Sequence, residues 1–252
     1  MPSGSGEKQP KYRRIADALK AAIDSGQYRA GDRLPGENEL MATYEVARMT
    51  ARQALGVLQS EGIAEARKGA GVFVREFRPL RRHGVQRLAR ERWGSGRSVW
   101  SADLGDRSLE VDQVAVAEEG VPVEIAGVLG VEPGDAVCVR RRRFVLDGKP
   151  VLLSTSYLPA ALVAGTAVVR ADAGPGGSYA RLAEIGAAPV RFREEVRSRM
   201  PLGDEAGRLG LAAGTPVMLV HRTAFAGDGR VVEVNAMVLD AAAYVLEYEF
   251  EA

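Results

Sequence analysis

One cysteine, two histidines and no long apolar run are what the chain has least of, and each scarcity excludes a class of function. Cys138 has no partner within the chain for a disulfide and no companions for a thiolate zinc site. His83 and His221 stand apart from any Ser or Cys in a nucleophile signature. No His/Asp/Glu grouping has metal-ligand spacing, and no glycine-rich phosphate loop follows a strand-like run. Neither a metal nor an organic cofactor is expected, and catalysis has little to rest on. No segment approaches the roughly 20 apolar residues of a membrane span, and no basic-then-apolar leader opens the chain. These absences predict a cytoplasmic protein without a membrane partner.

What is present is an ordinary globular composition over 252 residues, 46% hydrophobic and 27% charged. That length suits two compact domains better than one. The net charge of +1 conceals an asymmetry, because residues 1–98 hold 19 Lys and Arg against 11 Asp and Glu. The remainder is acidic by nearly the same margin. A basic N-terminal third suggests a polyanionic partner for that third alone.

Residues 1–8 fall in a small, polar opening stretch that reads as a flexible tail. From Lys11, Tyr12, Ile15, Leu19 and Ile23 recur at helical spacing until Ser25-Gly26. A short helix is expected from about Glu37 to Tyr44, with Gly36 as its N-cap. A third, from about Ala47 to Glu61, carries the apolar stripe Ala51, Leu55 and Leu58 and is closed by Gly62. Ile63–Glu65 and Val72–Arg75 then read as two strands joined through Arg67-Lys68-Gly69-Ala70-Gly71. Three helices and a glycine-tipped hairpin make a winged helix-turn-helix over residues 9–76.

Residues 77–98 are dense in arginine and interrupted by Pro79, Gly84, Gly94 and Gly96. They are expected to be an interdomain linker, with a helix within about His83 to Trp93. Residues 99–252 contain an internal repeat. Ala126-Gly127-Val128-Leu129-Gly130 matches Ala206-Gly207-Arg208-Leu209-Gly210, and each copy continues as strand, Asp-Gly, strand. Asp147-Gly148 and Asp228-Gly229 are strong hairpin signals. Two helix-plus-hairpin halves would pair into one antiparallel sheet, with a ligand cleft between them. The expected fold class is α+β: a winged helix-turn-helix followed by a mixed α/β antiparallel-sheet domain.

On the third helix, Arg48 and Arg52 lie one turn apart with Thr50 beside them. At the N-terminal end of a helix entering the major groove, arginine bonds guanine O6 and N7, and threonine bonds bases or phosphates. Arg52 suits a phosphate equally well, and the helix alone fits two solvated arginines as readily. The basic, small-residue tip Lys68, Gly69, Ala70 and Gly71 tilts the balance, since such a wing approaches phosphate or minor groove closely. Double-stranded DNA is the expected partner.

Leu34-Pro35-Gly36-Glu37-Asn38-Glu39-Leu40, then Val46-Ala47-Arg48-Met49-Thr50-Ala51-Arg52-Gln53-Ala54-Leu55, then Gly69-Ala70-Gly71-Val72-Phe73-Val74 resembles the GntR family. The C-terminal part resembles its HutC branch, whose effector domain, UTRA, has a chorismate-lyase-like fold. The resemblance spans about residues 9–252. It implies a homodimer on an inverted-repeat operator, usually a repressor released by a small-molecule effector. It assigns operator contacts to Arg48, Thr50 and Arg52 and the wing to Gly69 and Gly71. The chain departs from the family where Gly36 and Ala47 replace serines and Ala70 replaces a wing cation, which Lys68 and Arg67 are expected to make good.

Arg140-Arg141-Arg142-Arg143 precedes Phe144 and the first Asp-Gly. On a strand two of these arginines face each way, and one turned into a cleft suits a carboxylate or phosphate. An ion pair within the fold, to Glu195 or Glu233, explains it as well. By resemblance, Arg142 is an anion-binding arginine, Ser178 a ligand-contacting serine and Glu233 an acid that bonds polar ligand groups. Phe144 stands where sugar-phosphate-binding members place a second arginine, and Ser154 replaces a frequent glutamate. The stretch His83 to Trp100 also lacks the family's usual lead-in. The pocket is therefore expected to take a less phosphorylated, more apolar or aromatic ligand, or none, the domain then serving only to dimerise. An enzyme with a chorismate-lyase-like domain is the remaining alternative.

Overall fold

A computed structural model describes residues 9–76, 79–84, 88–94, 99, 104 and 107–249. The expected tail 1–8, and residues 95–98 and Trp100 of the arginine-rich stretch, lie outside the described residues. The chain forms two compact units, with the break between residues 78 and 79 and Leu211–Thr215 grouped with the first.

In the first unit, α1 (Lys11–Asp24) starts behind Pro10, whose carbonyl accepts the Arg13 and Arg14 N–H groups at 3.0 and 3.2 Å. α2 (Glu37–Tyr44) starts at Gly36, which has no hydroxyl to cap it. Glu39 compensates by accepting the Gly36 N–H at 2.6 Å, half of the usual reciprocal cap. Glu45 then turns the chain in the left-handed region, and α3 (Arg48–Ser60) begins at Ala47 with no side-chain cap. α3 is shorter by one residue at each end than its apolar period predicts. Ile15 and Leu19 of α1, Leu40 of α2 and Leu55 and Leu58 of α3 are buried in one cluster, each stabilising by about 1.5–3 kcal/mol.

β1 (Ala64–Arg67) and β2 (Gly71–Val74) pair antiparallel, with Arg67 opposite Gly71. The hairpin therefore runs further toward its tip than the sequence suggests, leaving Lys68-Gly69-Ala70 as the whole connection. Gly71 has φ 115°, and a Cβ there would meet Arg33 Nε at 3.0 Å, so glycine is required at that position.

In the second unit, β3 (Leu80–His83) pairs parallel with β10 (Tyr244–Glu247). Part of the expected linker, with His83, is thus a strand of this unit. α4 (Arg90–Gly94) follows, shorter than the helix expected there. The main sheet has six antiparallel strands in the order β4-β5-β6-β9-β8-β7. They are β4 (Leu109–Gly120), β5 (Ala136–Leu146), β6 (Lys149–Pro159), β7 (Pro189–Arg199), β8 (Val217–Ala226) and β9 (Val231–Asp240). The repeat is visible as β4, α5 (Val123–Leu129), β5, β6 and then β7, α8 (Glu205–Leu209), β8, β9. The paired hairpins form as expected, and each half adds a leading strand that the repeat motif did not reveal.

Asp147 and Gly148 have φ of 49° and 78°, both positive as the tightest hairpin turn demands. The Asp147 carboxylate accepts the Ser108 N–H at 3.0 Å and Arg107 Nε at 2.7 Å. Because strand side chains alternate, Val137 and Val139 pack with Ile125 and Leu129 of α5 on one face. On the other, Cys138 and Leu158 pack with Val163 of α6 (Ala160–Val163) and with Tyr179 and Leu182 of α7 (Gly177–Glu184). Cys138 is a core residue, and burial raises its thiol pKa.

Candidate functional sites

In the first unit, Arg48 and Arg52 stand exposed at the start of α3, 61% and 60% accessible. Both are oriented by α2. Glu37 accepts Arg52 Nε and Nη2 at 2.7 and 3.2 Å and lies 3.7 Å from Arg48 Nε. Asn38 accepts Arg48 Nη2 at 3.2 Å. The Arg52 hydrogen bonds hold the Glu37 carboxyl below its usual range. Thr50 is half-buried at the same end of the helix.

Lys68, Gly69, Ala70 and Gly71 are all exposed at the hairpin tip, with Gly69 at φ 75°. Arg67 is differently placed from what was expected. It donates to Glu65 at 3.0 Å and lies 4.4 Å over the Phe73 ring, so it braces the hairpin and does not extend the tip. Lys68 alone supplies tip charge.

In the second unit, the four consecutive arginines separate by face. Arg141 pairs with Glu119 and Arg143 with Asp112, both at 2.5 Å. The ion pairs that these arginines make thus fall on β4, not on Glu195 or Glu233, and they hold Glu119 and Asp112 below the usual carboxylate range. Arg140 and Arg142 turn to the α7 face. Arg140 donates through both Nη atoms to the carbonyls of Val168, Arg170 and Ala171, pinning that segment, while its Nε has no partner.

Arg142 instead donates to Ser154 Oγ and Ser156 Oγ at 3.4 and 3.0 Å. It lines a chamber of about 50 Å³ together with Ser178, Tyr179, Arg222, Glu233 and Asn235. The chamber shares Arg142 and the loop Gly176-Gly177-Ser178 with an open cleft of about 500 Å³. Three buried atoms facing this region have no hydrogen-bond partner: Arg142 Nε, Ser178 Oγ and Glu233 Oε2. Burial depresses the Arg142 pKa, and the Glu233 charge offsets part of that effect.

The expected residues separate accordingly. Arg142, Ser178 and Glu233 line the chamber, and Ser154 supports it by donating to Asn235 Oδ1 at 2.9 Å. Phe144 does not line it. Its ring is buried among Leu80, Leu152 and Leu239, 5.7 Å from the Arg142 guanidinium. An apolar side chain on the buried face of a central strand joins the core, so Phe144 shapes the site only through Arg142.

Arg222, Asn235 and Tyr179 were missed. Arg222 and Asn235 are the counterparts of Arg142 and Ser154 in the internal repeat, with Arg142 opposite Ser154 and Arg222 opposite Asn235 in register. Carrying the repeat through the strands would have found them. The halves differ in one respect. Arg222 faces Glu194 of β7 and bonds it at 2.8 Å, with both side chains buried. The place facing Arg142 on β4 is taken by an irregularity between Asp112 and Ala115, where Gln113 has φ 48°. Among the described residues no carboxylate forms an ion pair with Arg142.

The comparisons agree with this architecture. Residues 11–74 match the family of bacterial regulatory proteins called gntR, and residues 106–244 match the UTRA domain. An uncharacterised HTH-type transcriptional regulator of Streptomyces coelicolor is 31% identical, covering 97% of this chain and 94% of its own. The chain belongs to the GntR family. It is a DNA-binding transcriptional regulator with an effector-binding UTRA domain, and the family comprises regulators, not enzymes. Among solved structures, a GntR-family transcriptional regulator superposes with TM-score 0.64 at 28% identity, covering 97% of this chain and 98% of the other. PhnF from Mycobacterium smegmatis superposes with TM-score 0.56 at 28% identity, covering 94% and 99%. No helix of this GntR-family chain is long and apolar enough to cross a membrane, among the described residues.

Proposed function

We propose that the chain is a cytoplasmic, homodimeric repressor that binds an inverted-repeat operator and is released by a small anionic effector. Arg48, Thr50 and Arg52 read or grip the operator, and Lys68, Gly69, Ala70 and Gly71 approach its backbone. Arg142, Ser178 and Glu233 take the effector, and Ser154 and Phe144 hold Arg142 in place. The observation that carries the effector reading is the asymmetry of the repeat. Of the two arginines that the repeat makes equivalent, the buried Arg222 has its own carboxylate and the half-buried Arg142 does not. A partly desolvated guanidinium whose cost the Glu233 charge offsets only in part is unfavourable, and an acidic ligand would reduce that cost. The unpartnered Glu233 oxygen calls for a donor on the same ligand, a hydroxyl or amine.

The first test is binding to fragments of the gene's own upstream region across a salt series. Tight binding to one short inverted repeat, with far weaker binding to scrambled DNA, supports the operator reading. Equal, steeply salt-dependent binding to every fragment would mean phosphate attraction only. A panel of hydroxy and amino acids and sugar acids then identifies the effector by a rise in melting temperature. Arg142→Ala is expected to keep operator affinity and lose that response.

A further inference from the structure

Met49 occupies an odd place for a large apolar side chain. It is 60% exposed, the most exposed large hydrophobic residue among the described residues of the first unit. At about 3.6 residues per turn, the buried Ala51, Ala54, Leu55 and Leu58 share one side of α3. Met49, Gln53 and Gly56 run along the side directly opposite, and all three are exposed. Arg48 and Arg52 lie on the flank of this crown, drawn toward Glu37 and Asn38 of α2. A Cβ built on Gly56 would meet nothing within 4 Å, so the crown is open along its length. A single exposed apolar side chain is unremarkable on a surface. One at the N-terminal crown of a helix, with two arginines on its flank, stands where a helix lying in the major groove faces base edges.

We propose that Met49 is a specificity-determining residue, packing its side chain against the C5 methyl of a thymine in each operator half-site. The thymine methyl is the apolar feature of the major groove, and a flexible thioether chain suits contact with it. Arg48 and Arg52 then grip guanine or phosphate on one side of that thymine, and the proposal rests on their reading of DNA.

The test begins with a duplex selected by the purified protein from a randomised pool. If no sequence is enriched, the operator reading itself fails. With a selected duplex in hand, each thymine is replaced in turn by deoxyuridine, which deletes only the methyl. The parent protein is expected to bind about fourfold more weakly at one thymine per half-site, what burying a methyl-sized group is worth. Met49→Ala should bind the thymine and uracil duplexes equally at that position, while Met49→Leu restores the preference. Both variants should melt with the parent, since the side chain lies outside the core. If the parent is indifferent to the methyl at every thymine, or Met49→Ala keeps its preference, the proposal is overturned and sequence is read by polar contacts alone.

Discussion

Single residues decide what the two sites can do, because each buried polar group in this chain is either matched or conspicuously unmatched. Tyr179 shows a match. Its hydroxyl is hydrogen-bonded between the Arg222 guanidinium and the Glu233 carboxylate, and burial and the Glu233 charge push its pKa far above the ordinary range. It therefore stays neutral, donating to Glu233 and accepting from Arg222. Tyr179→Phe would leave both charges short of a partner, and a loss of about 1–3 kcal/mol is expected, read from the urea midpoint of the second unit. Glu205 is matched by an ion pair, accepting Arg199 Nη1 and Nη2 at 2.7 and 2.8 Å and the Leu202 N–H at 2.7 Å. The Arg199 hydrogen bonds hold its folded pKa below the usual range. Its contribution is full above the unfolded carboxylate value of about 4.3 and fades as pH falls through the depressed folded value. Glu205→Gln should therefore melt earlier than the parent at pH 7, by on the order of 1 kcal/mol after screening. The two should converge once the pH falls below the depressed folded value, and a deficit that persists unchanged in acid would mean the pair is not what the substitution removed.

At the scale of elements, α3 trades stability for an open surface. Gly56 sits inside the helix with ordinary helical φ and no neighbour within 4 Å of a built Cβ, although glycine costs up to about 1 kcal/mol against alanine there. Gly56→Ala is expected to raise the melting temperature of the first unit by an amount corresponding to about 0.5–1 kcal/mol, since nothing stands in the way of the methyl. Elements of this kind were legible from residue order. Ile15 and Leu19 give α1, Ala51 and Leu55 give α3, and Asp147-Gly148 gives the first hairpin. The leading strands β4 and β7 were not legible. They lie at the sheet edges, where most positions are exposed and none of β4 is fully buried, so their sequences carry little of the apolar alternation that marks a half-buried strand. β3 was hidden for a related reason, because Leu80-Arg81-Arg82-His83 reads as a polar linker until Arg82 proves to be buried. Around the chamber, Arg142, Ser178 and Glu233 came from motif position. Arg222 required the repeat to be followed across register, and the missing partner of Arg142 depends on a β4 irregularity that no residue pattern announces.

At the scale of the whole molecule, the proposed function asks each unit to bind an anion of a different kind. Of the 19 basic side chains in residues 1–98, only 13 fall in residues 1–78, against 10 acidic ones, so the salt dependence of operator affinity should come from the local cluster Arg48, Arg52 and Lys68 and not from net charge. The Arg142 chamber lies in the second unit. If effector binding releases operator, the two equilibria share one coupling free energy, and operator must weaken effector binding by the same factor by which effector weakens operator. Calorimetric titration of effector into the protein, alone and saturated with operator duplex, measures that factor directly. A coupling of typical size, about 1–3 kcal/mol, appears as a roughly five- to 150-fold weaker effector affinity on the complex. Arg142→Ala should abolish the effector isotherm and leave the operator isotherm and its salt slope in place. Effector that binds equally well with and without operator would show that the chamber is occupied but uncoupled, and release would then have to come from another ligand or another surface.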